Sequence, residues 1–282
     1  MNRLSITKCS QVISALAKGN SIRATVRITG VSKDAITRLL VRLGSAAADY
    51  QDRTLRNLKC KRIQCDEIWA FCYAKDKNVP ADKQGKFGFG SVWTWVAMDA
   101  DTKLVPSVII GNRDARTARI FIDDLASRLA GRIQLTTDGL KVYLDAVEGA
   151  FGSDIDYSML IKTYESTQEE IRYSPPVCTS CERKPIMGNP DPKHISTSYV
   201  ERQNLTIRMH MRRFTRLTNG FSKKVENHAY SAALHFMHYN FVKIHQTLRV
   251  TPAMEANVTD HLWTIEEMIS TLEANSKRTE FK

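Results

Sequence analysis

No stretch of this chain approaches the ~18 consecutive apolar residues that a membrane-spanning helix needs, so contact with a membrane is not expected. The opening Met1-Asn2-Arg3-Leu4-Ser5 is polar and has none of the apolar core of a secretory signal, which points to a cytoplasmic protein. Cysteine is sparse: the six residues, at positions 9, 60, 65, 72, 178 and 181 of 282, are too scattered to form a small secreted disulfide framework. Internal repeats and low-complexity tracts are also missing, which leaves solenoids and disordered tails without support. What remains is 43% apolar and 25% charged, as in ordinary globular chains, with length for roughly two domains and a sizeable core.

Negative charge is the scarcest commodity, and it is scarce unevenly. The formal charge is +11. Residues 1–65 hold 13 Lys/Arg against 3 Asp/Glu, residues 66–200 hold 16 against 19, and residues 201–282 hold 12 against 8. Basic ends around a slightly acidic centre suit a polyanion held at the ends and cations held in the middle.

The basic N-terminus reads as three helices. Val12, Ile13, Leu16 and Ala17 give the first, stopped by Gly19-Asn20. Ser21 caps a second through Ile28, and Thr29-Gly30-Val31-Ser32 makes a tight turn. Ser32 caps a third, with Ile36, Leu39, Leu40 and Leu43 inward, Lys33, Thr37, Arg38 and Arg42 outward, and Gly44 at its end. This pattern fits a helix-turn-helix whose last helix enters the major groove; a small helical bundle with a solvated basic face is the alternative. Residues 46–61 then form a linker, helical as far as Arg56.

Past residue 60 the periodicity changes to that of strands. Arg62 to Phe71 is one apolar run, Ser91 to Met98 and Leu104 to Ile110 flank a turn as a hairpin, and a helix follows over 115–130 with Ile120, Leu125 and Leu129 inward. A strand ending at Asp138, a helix over 141–150 and a strand over 157–163 complete the order of an RNase H-like mixed α/β sheet. Five of the eight prolines fall between 174 and 192, which predicts an irregular insertion over 172–196. It contains Cys178-Thr179-Ser180-Cys181, either a pair of reduced thiols in a loop or half of a zinc site.

Three carboxylates stand out. Asp66 lies inside the first apolar run, where an unpaired ionised side chain is costly. Asp138 ends a strand before Gly139, and Glu201 opens a basic helix. Two or three such groups around divalent cations satisfy one another, an arrangement suited to phosphoryl transfer on nucleic acid. Each of the latter two also has a plainer reading: Asp138-Gly139 is a common turn, and Ser198 with Glu201 spells a capping box. Adjacent Glu67 points to the opposite face by strand alternation, so only one of Asp66 and Glu67 is expected in the site.

On Cys65-Asp66-Glu67-Ile68-Trp69, Thr136-Thr137-Asp138-Gly139, Asn189 through Asn204 and Tyr239-Asn240 through Thr251-Pro252, the chain resembles transposases of the insertion-sequence-one (InsAB-type) family from about Cys65 to Ala256. The resemblance implies an RNase H-like domain over 62–256, a helix-turn-helix over 1–45 and a helical tail over 257–282. It implies an Asp-Asp-Glu triad of Asp66, Asp138 and Glu201 holding Mg²⁺, or Mn²⁺, as two ions. Its implied partners are double-stranded DNA, as terminal inverted repeats and target, and further copies of the chain, in a bacterial, nucleoid-associated setting. The family's usual N-terminal zinc ribbon has no counterpart in these residues, so a DNA-binding regulator without catalysis and a nuclease without strand transfer stand as alternatives.

The helix after Glu201 adds a stripe of Val200, Asn204, Ile207, Met211 and Phe214 for packing, and cations at Arg202, Arg208, Arg212, Arg213 and Arg216 for phosphate contact. His228, His235, His238 and His245 follow in an apolar helix and read as packed core histidines.

Overall fold

A computed structural model describes residues 4–165, 177–215 and 218–279. Helices α1 (Ile6–Ala17) and α2 (Ile22–Thr29) are capped by the hydroxyls of Ser5 and Ser21, and Gly30 turns the chain at φ +71° into α3 (Lys33–Thr54), capped by Ser32. Gly44 does not end α3. The helix runs ten residues further, and a Cβ on Gly44 would lie 2.5 Å from both the Cβ and the carbonyl oxygen of Tyr230. Glycine is there to let α3 approach α7 (Val225–Phe241) backbone to side chain. The segment expected as a linker is therefore, as far as Thr54, the second half of α3.

That half is tied to the rest of the chain by polar bonds as well as by packing. Gln51 donates to the Ala233 carbonyl of α7 at 3.0 Å. Arg128, at the end of α4 (Ala115–Arg128), reaches the carbonyl of Leu55 and the carboxylates of Asp52 and Asp124, satisfying the last carbonyls of α3. The inward residues Ile36, Leu39, Leu40 and Leu43 join one buried cluster with the sheet, α4, α5 (Val142–Phe151) and α9 (Ile265–Thr279).

The sheet has six strands: β1 (Arg62–Cys72), β2 (Gly90–Asp99), β3 (Ser107–Gly111), β4 (Gln134–Asp138), β5 (Asp156–Glu165) and β6 (Val177–Met187). Their order is β3-β2-β1-β4-β5-β6, with β1, β4 and β5 parallel and β2, β3 and β6 antiparallel to their neighbours. The last strand corrects the irregular insertion expected here. Pro185 is tolerated because β6 is an edge strand and Pro185 stands beside a register shift opposite Ser158. Residues 172–176 lie outside the described residues.

Alternation along β1 sorts the faces. Ile63, Cys65 and Trp95 pack under α4 and α5, where Trp95 meets Phe121 and Tyr143 edge-on or tilted. Ile68, Ala70 and Val96 pack under α6 (Ser198–His210) and α7. Within α4 it is Phe121, Ile122 and Leu125 that are buried, while Ile120, expected inward, is 49% exposed. Asn240 of α7 accepts from the Val105 amide and donates to the Val105 carbonyl, holding α7 to the segment between β2 and β3. The four-residue α8 (Pro252–Glu255) links α7 to α9, and among the described residues no helix is long and apolar enough to cross a membrane.

Candidate metal centre

Asp66, midway along β1, meets Asp138, the last residue of the adjacent parallel strand β4. The β1–β4 ladder closes at Gln64 opposite Thr136, so two residues further on Asp66 and Asp138 face each other where the strands separate. Asp66, Glu67 and Asp138 each offer an oxygen, and these oxygens lie within 4.8 Å of one another. Glu67 thus belongs to the cluster that alternation was expected to deny it. Alternation itself holds: Asp66 faces α6, accepting from Asn204 at 2.8 Å, whereas Glu67 faces α5, accepting from the Tyr143 hydroxyl. Asp138 is reached from both sides because it terminates its strand in the gap, and Arg113 spans that gap, 3.1 Å from Glu67 and 3.5 Å from Asp138. Asp138 also accepts from the Leu140 amide, so the plain turn reading is true of it as well.

Electrostatics make this cluster short of positive charge. Burial, then the Asp138 charge, push the Asp66 carboxyl up to about 7, against the amide of Glu67 and the side chain of Asn204. Burial and Asp138 push Glu67 up to about 7 too, although the Tyr143 hydroxyl and Arg113 pull the other way. Among the described residues Asp66 pairs with no Lys or Arg, and Arg113 is the one cation bonded to the other two. An all-oxygen, partly buried donor set with excess negative charge fits a hard divalent cation.

Glu201 stands beside this cluster rather than in it. Its charge contributes to the raised Asp66 carboxyl, but its Oε1 accepts from Lys162 and, at 2.5 Å, from the Thr197 hydroxyl. The capping-box reading does not describe it. The helix begins at Ser198 after Thr197, and its first amides, Tyr199 and Val200, donate to Gln64 Oε1 of β1 at 2.9 and 3.2 Å. Gln64 lies two residues before Asp66 on the same face, so the strand that carries Asp66 also caps the helix that carries Glu201.

The cations expected on DNA are dispersed. Lys33 and Arg38 are exposed on α3, Thr37 donates to the Lys33 carbonyl, and Arg42 pairs with Glu273 of α9 at 3.0 Å. Arg202 is exposed beside Glu201 and Arg208 is half-buried on α6. That helix stops at His210, so Arg212 and Arg213 stand on a separate 3-10 turn and not further along the face of Glu201. Arg212 is exposed, Arg213 donates to Ser222 at 2.7 Å, and Arg216 lies outside the described residues. The packing stripe is as expected, with Val200, Asn204, Ile207, Met211 and Phe214 all buried.

Cys178 and Cys181 are exposed on β6, not in a loop, and join no metal-binding group among the described residues. His228 and His235 are buried, His238 half-buried, and burial pushes the three down to about 3, 3 and 4 respectively, as neutral core imidazoles. Glu67, Arg113, Tyr143, Lys162 and Asn204 are the site residues that the sequence did not single out. Only Asn204, three residues after Glu201 on a helix, carries a spacing that could have flagged it.

No protein-family model and no curated protein matches the sequence. Among solved structures the chain is similar to the piggyBac transposase in the cryo-EM structure of its synaptic complex with hairpin DNA, at 9% identity and a TM-score of 0.41, covering 98% of this chain and 72% of that one. So distant a likeness leaves the site to be read from its own geometry.

Proposed function

We propose that the chain is a DNA transposase that cleaves and joins the ends of an insertion sequence by metal-dependent phosphoryl transfer. The observation that carries this reading is the meeting of Asp66 and Asp138 just past the point where the pairing of parallel β1 and β4 stops, with Glu201 on a helix capped by β1. The strand order and senses suit an RNase H-like sheet, with β6 as an added edge. In this reading Asp66, Asp138 and Glu201 would hold divalent cations, Mg²⁺ or Mn²⁺, as two ions. Such ions, when bound, make water or a DNA 3′-hydroxyl acidic enough to attack phosphorus and neutralise the leaving oxygen.

The chain's own residues do the rest. Lys162, paired with Glu201 here, would be free to face a phosphate once Glu201 held a cation. Arg113 holds Glu67 and Asp138 apart from each other's charge, and Asn204 fixes the rotamer of Asp66. Arg202, Arg208, Arg212, Arg213 and Arg216 supply cations along the DNA strand at the site. Residues 1–45 serve as the helix-turn-helix that reads terminal repeats through Lys33, Thr37, Arg38 and Arg42, with Arg42 leaving Glu273 to do so. A pair of DNA ends is brought together by more than one copy of the chain.

A strand-transfer assay on DNA carrying the element ends tests this. Asp66→Asn, Asp138→Asn and Glu201→Gln each abolish cleavage while end binding stays within a few-fold. Near-normal transfer by Glu201→Gln would confine the chemistry to Asp66, Glu67 and Asp138. Binding without cleavage in the wild type would favour a regulator, and cleavage without joining a nuclease.

A further inference from the structure

A second site lies at the far end of α6. A cavity of about 700 Å³ opens between α1, the start of α2, α3, the 3-10 turn after α6, and α7. Its volume is within the ~300–1,000 Å³ typical of pockets that enclose a small organic molecule, and too small for a duplex. Arg23, Lys33, Arg212 and Lys223 line it, all exposed, and none pairs with a carboxylate among the described residues. Among the described residues no acidic side chain lines it. Leu16 and Phe221 contribute apolar wall.

His235, also part of the lining, is only 7% exposed, and neither of its ring nitrogens has a partner among the described residues. A buried imidazole left wholly unpaired is costly, and a polar occupant of the cavity that reaches its ring removes that cost. A ligand matched to this lining carries negative charge at one end and a flat, partly apolar body at the other. Those are the two halves of a nucleotide.

Resting on the function proposed above, we propose that this cavity binds one unpaired nucleotide of the DNA strand on which the acidic centre acts. Glu201 and His210 are nine residues apart on one helix, about 14 Å at ~1.5 Å rise per residue. That is roughly four steps of a stacked strand at ~3.4 Å each. A strand whose phosphate sits at Asp66 and Asp138 therefore has a nucleotide at the cavity mouth, where its phosphate meets the cations, its base lies against Phe221 and Leu16, and His235 donates to it.

The test is binding without turnover. Full-length protein in EDTA is titrated into a fluorescein-labelled single strand and into a blunt duplex of the same sequence, followed by anisotropy at ~0.1 M salt. Arg23→Gln/Lys223→Gln weakens the single strand roughly 20-fold, the loss for two phosphate contacts, and flattens its salt slope by about 1.4. The pair Lys59→Gln/Lys61→Gln, with the same net charge but placed at the start of β1, changes it at most a few-fold. A 4-thiothymidine in the single strand crosslinks to the cavity wall in the wild type, and less so in His235→Phe. Equal losses from both pairs, equal losses for duplex and single strand, or displacement of the strand by thymidine monophosphate at concentrations near its own would overturn the proposal. A wild type that crosslinks here yet cleaves nothing would sink the transposase reading and not this one.

Discussion

Removing a carboxylate from the acidic centre is expected to stabilise the metal-free protein. In the folded chain Asp66 is pushed from its usual 3.8 to about 7, first by burial and then by Asp138. The folded state therefore holds a proton that the unfolded chain releases. Below about pH 4 both states are protonated and folding is not penalised. The penalty grows as pH rises and is complete above about 7. At ~1.4 kcal/mol per tenfold change in proton affinity its ceiling is about 4 kcal/mol; half that, about 2 kcal/mol, is a fair expectation, because Asp66 is half-buried and shares its proton economy with Glu67. Asp66→Asn removes the charge. The new amide oxygen still accepts from the Glu67 amide, while the bond that Asn204 Nδ2 donates to Asp66 is replaced by one that Asn204, its amide turned over, accepts at Oδ1 from the new amide nitrogen. Thermal melts in EDTA should show the variant about 4 °C above the wild type at pH 8, at ~2 °C per kcal/mol for a chain of this size, with the gap closing toward pH 4. Added Mn²⁺ or Mg²⁺ should raise the wild type at pH 8 and reverse the order. A pH-independent gap, or a wild type indifferent to divalent cations, would refute the argument.

Three further outcomes follow from the same contacts. Gly44→Ala forces a methyl against the backbone and Cβ of Tyr230 and should cost about 1–3 kcal/mol in chemical denaturation. Tyr143→Phe removes the hydroxyl that holds Glu67 down, so the acid limb of the cleavage–pH profile should move to higher pH; an unmoved limb would show that Glu67 does not titrate with the reaction. Deleting residues 1–45 should unfold the chain and not merely blind it to DNA, because Ile36, Leu39, Leu40 and Leu43 go with it, each worth about 1.5–3 kcal/mol of burial against a typical total stability of ~5–15 kcal/mol. Circular dichroism and a melting curve of the fragment decide that.

Much of the fold was legible because its signals are local. Ser21 and Ser32 each cap a helix, as their places before the apolar periodicity imply, and apolar periodicity placed β1, β2, β3 and α4 within a few residues. Errors came where a long-range contact reverses a local preference. Gly44 reads as a stop, yet it sits inside a 22-residue helix because α7 lies against it. The prolines after Ser174 read as a loop, yet an edge strand tolerates Pro185, whose missing N–H falls at a bulge. Ile120 sits beside buried Phe121 and Ile122, and helical spacing alone did not fix which of the three would face water.

In the site, the limit was treating a strand as a ladder that never ends. Period-two alternation assigns Asp66 and Glu67 to opposite faces, and the structure agrees. The inference that only one of them can approach Asp138 needed β1 and β4 to remain paired beyond Gln64, and they do not. A carboxylate in the gap between parting strands is accessible from both faces, so the sheet gathers three acids where alternation allows two. The same geometry explains why the place where parallel strands part serves chemistry: their backbone pairing stops and side chains from both layers converge, so buried carboxylates gather with few groups to offset their charge. Which residues would answer that charge, Arg113 from the β3–α4 connection and Tyr143 from α5, depends on packing across more than forty residues of chain, and no local pattern announces it.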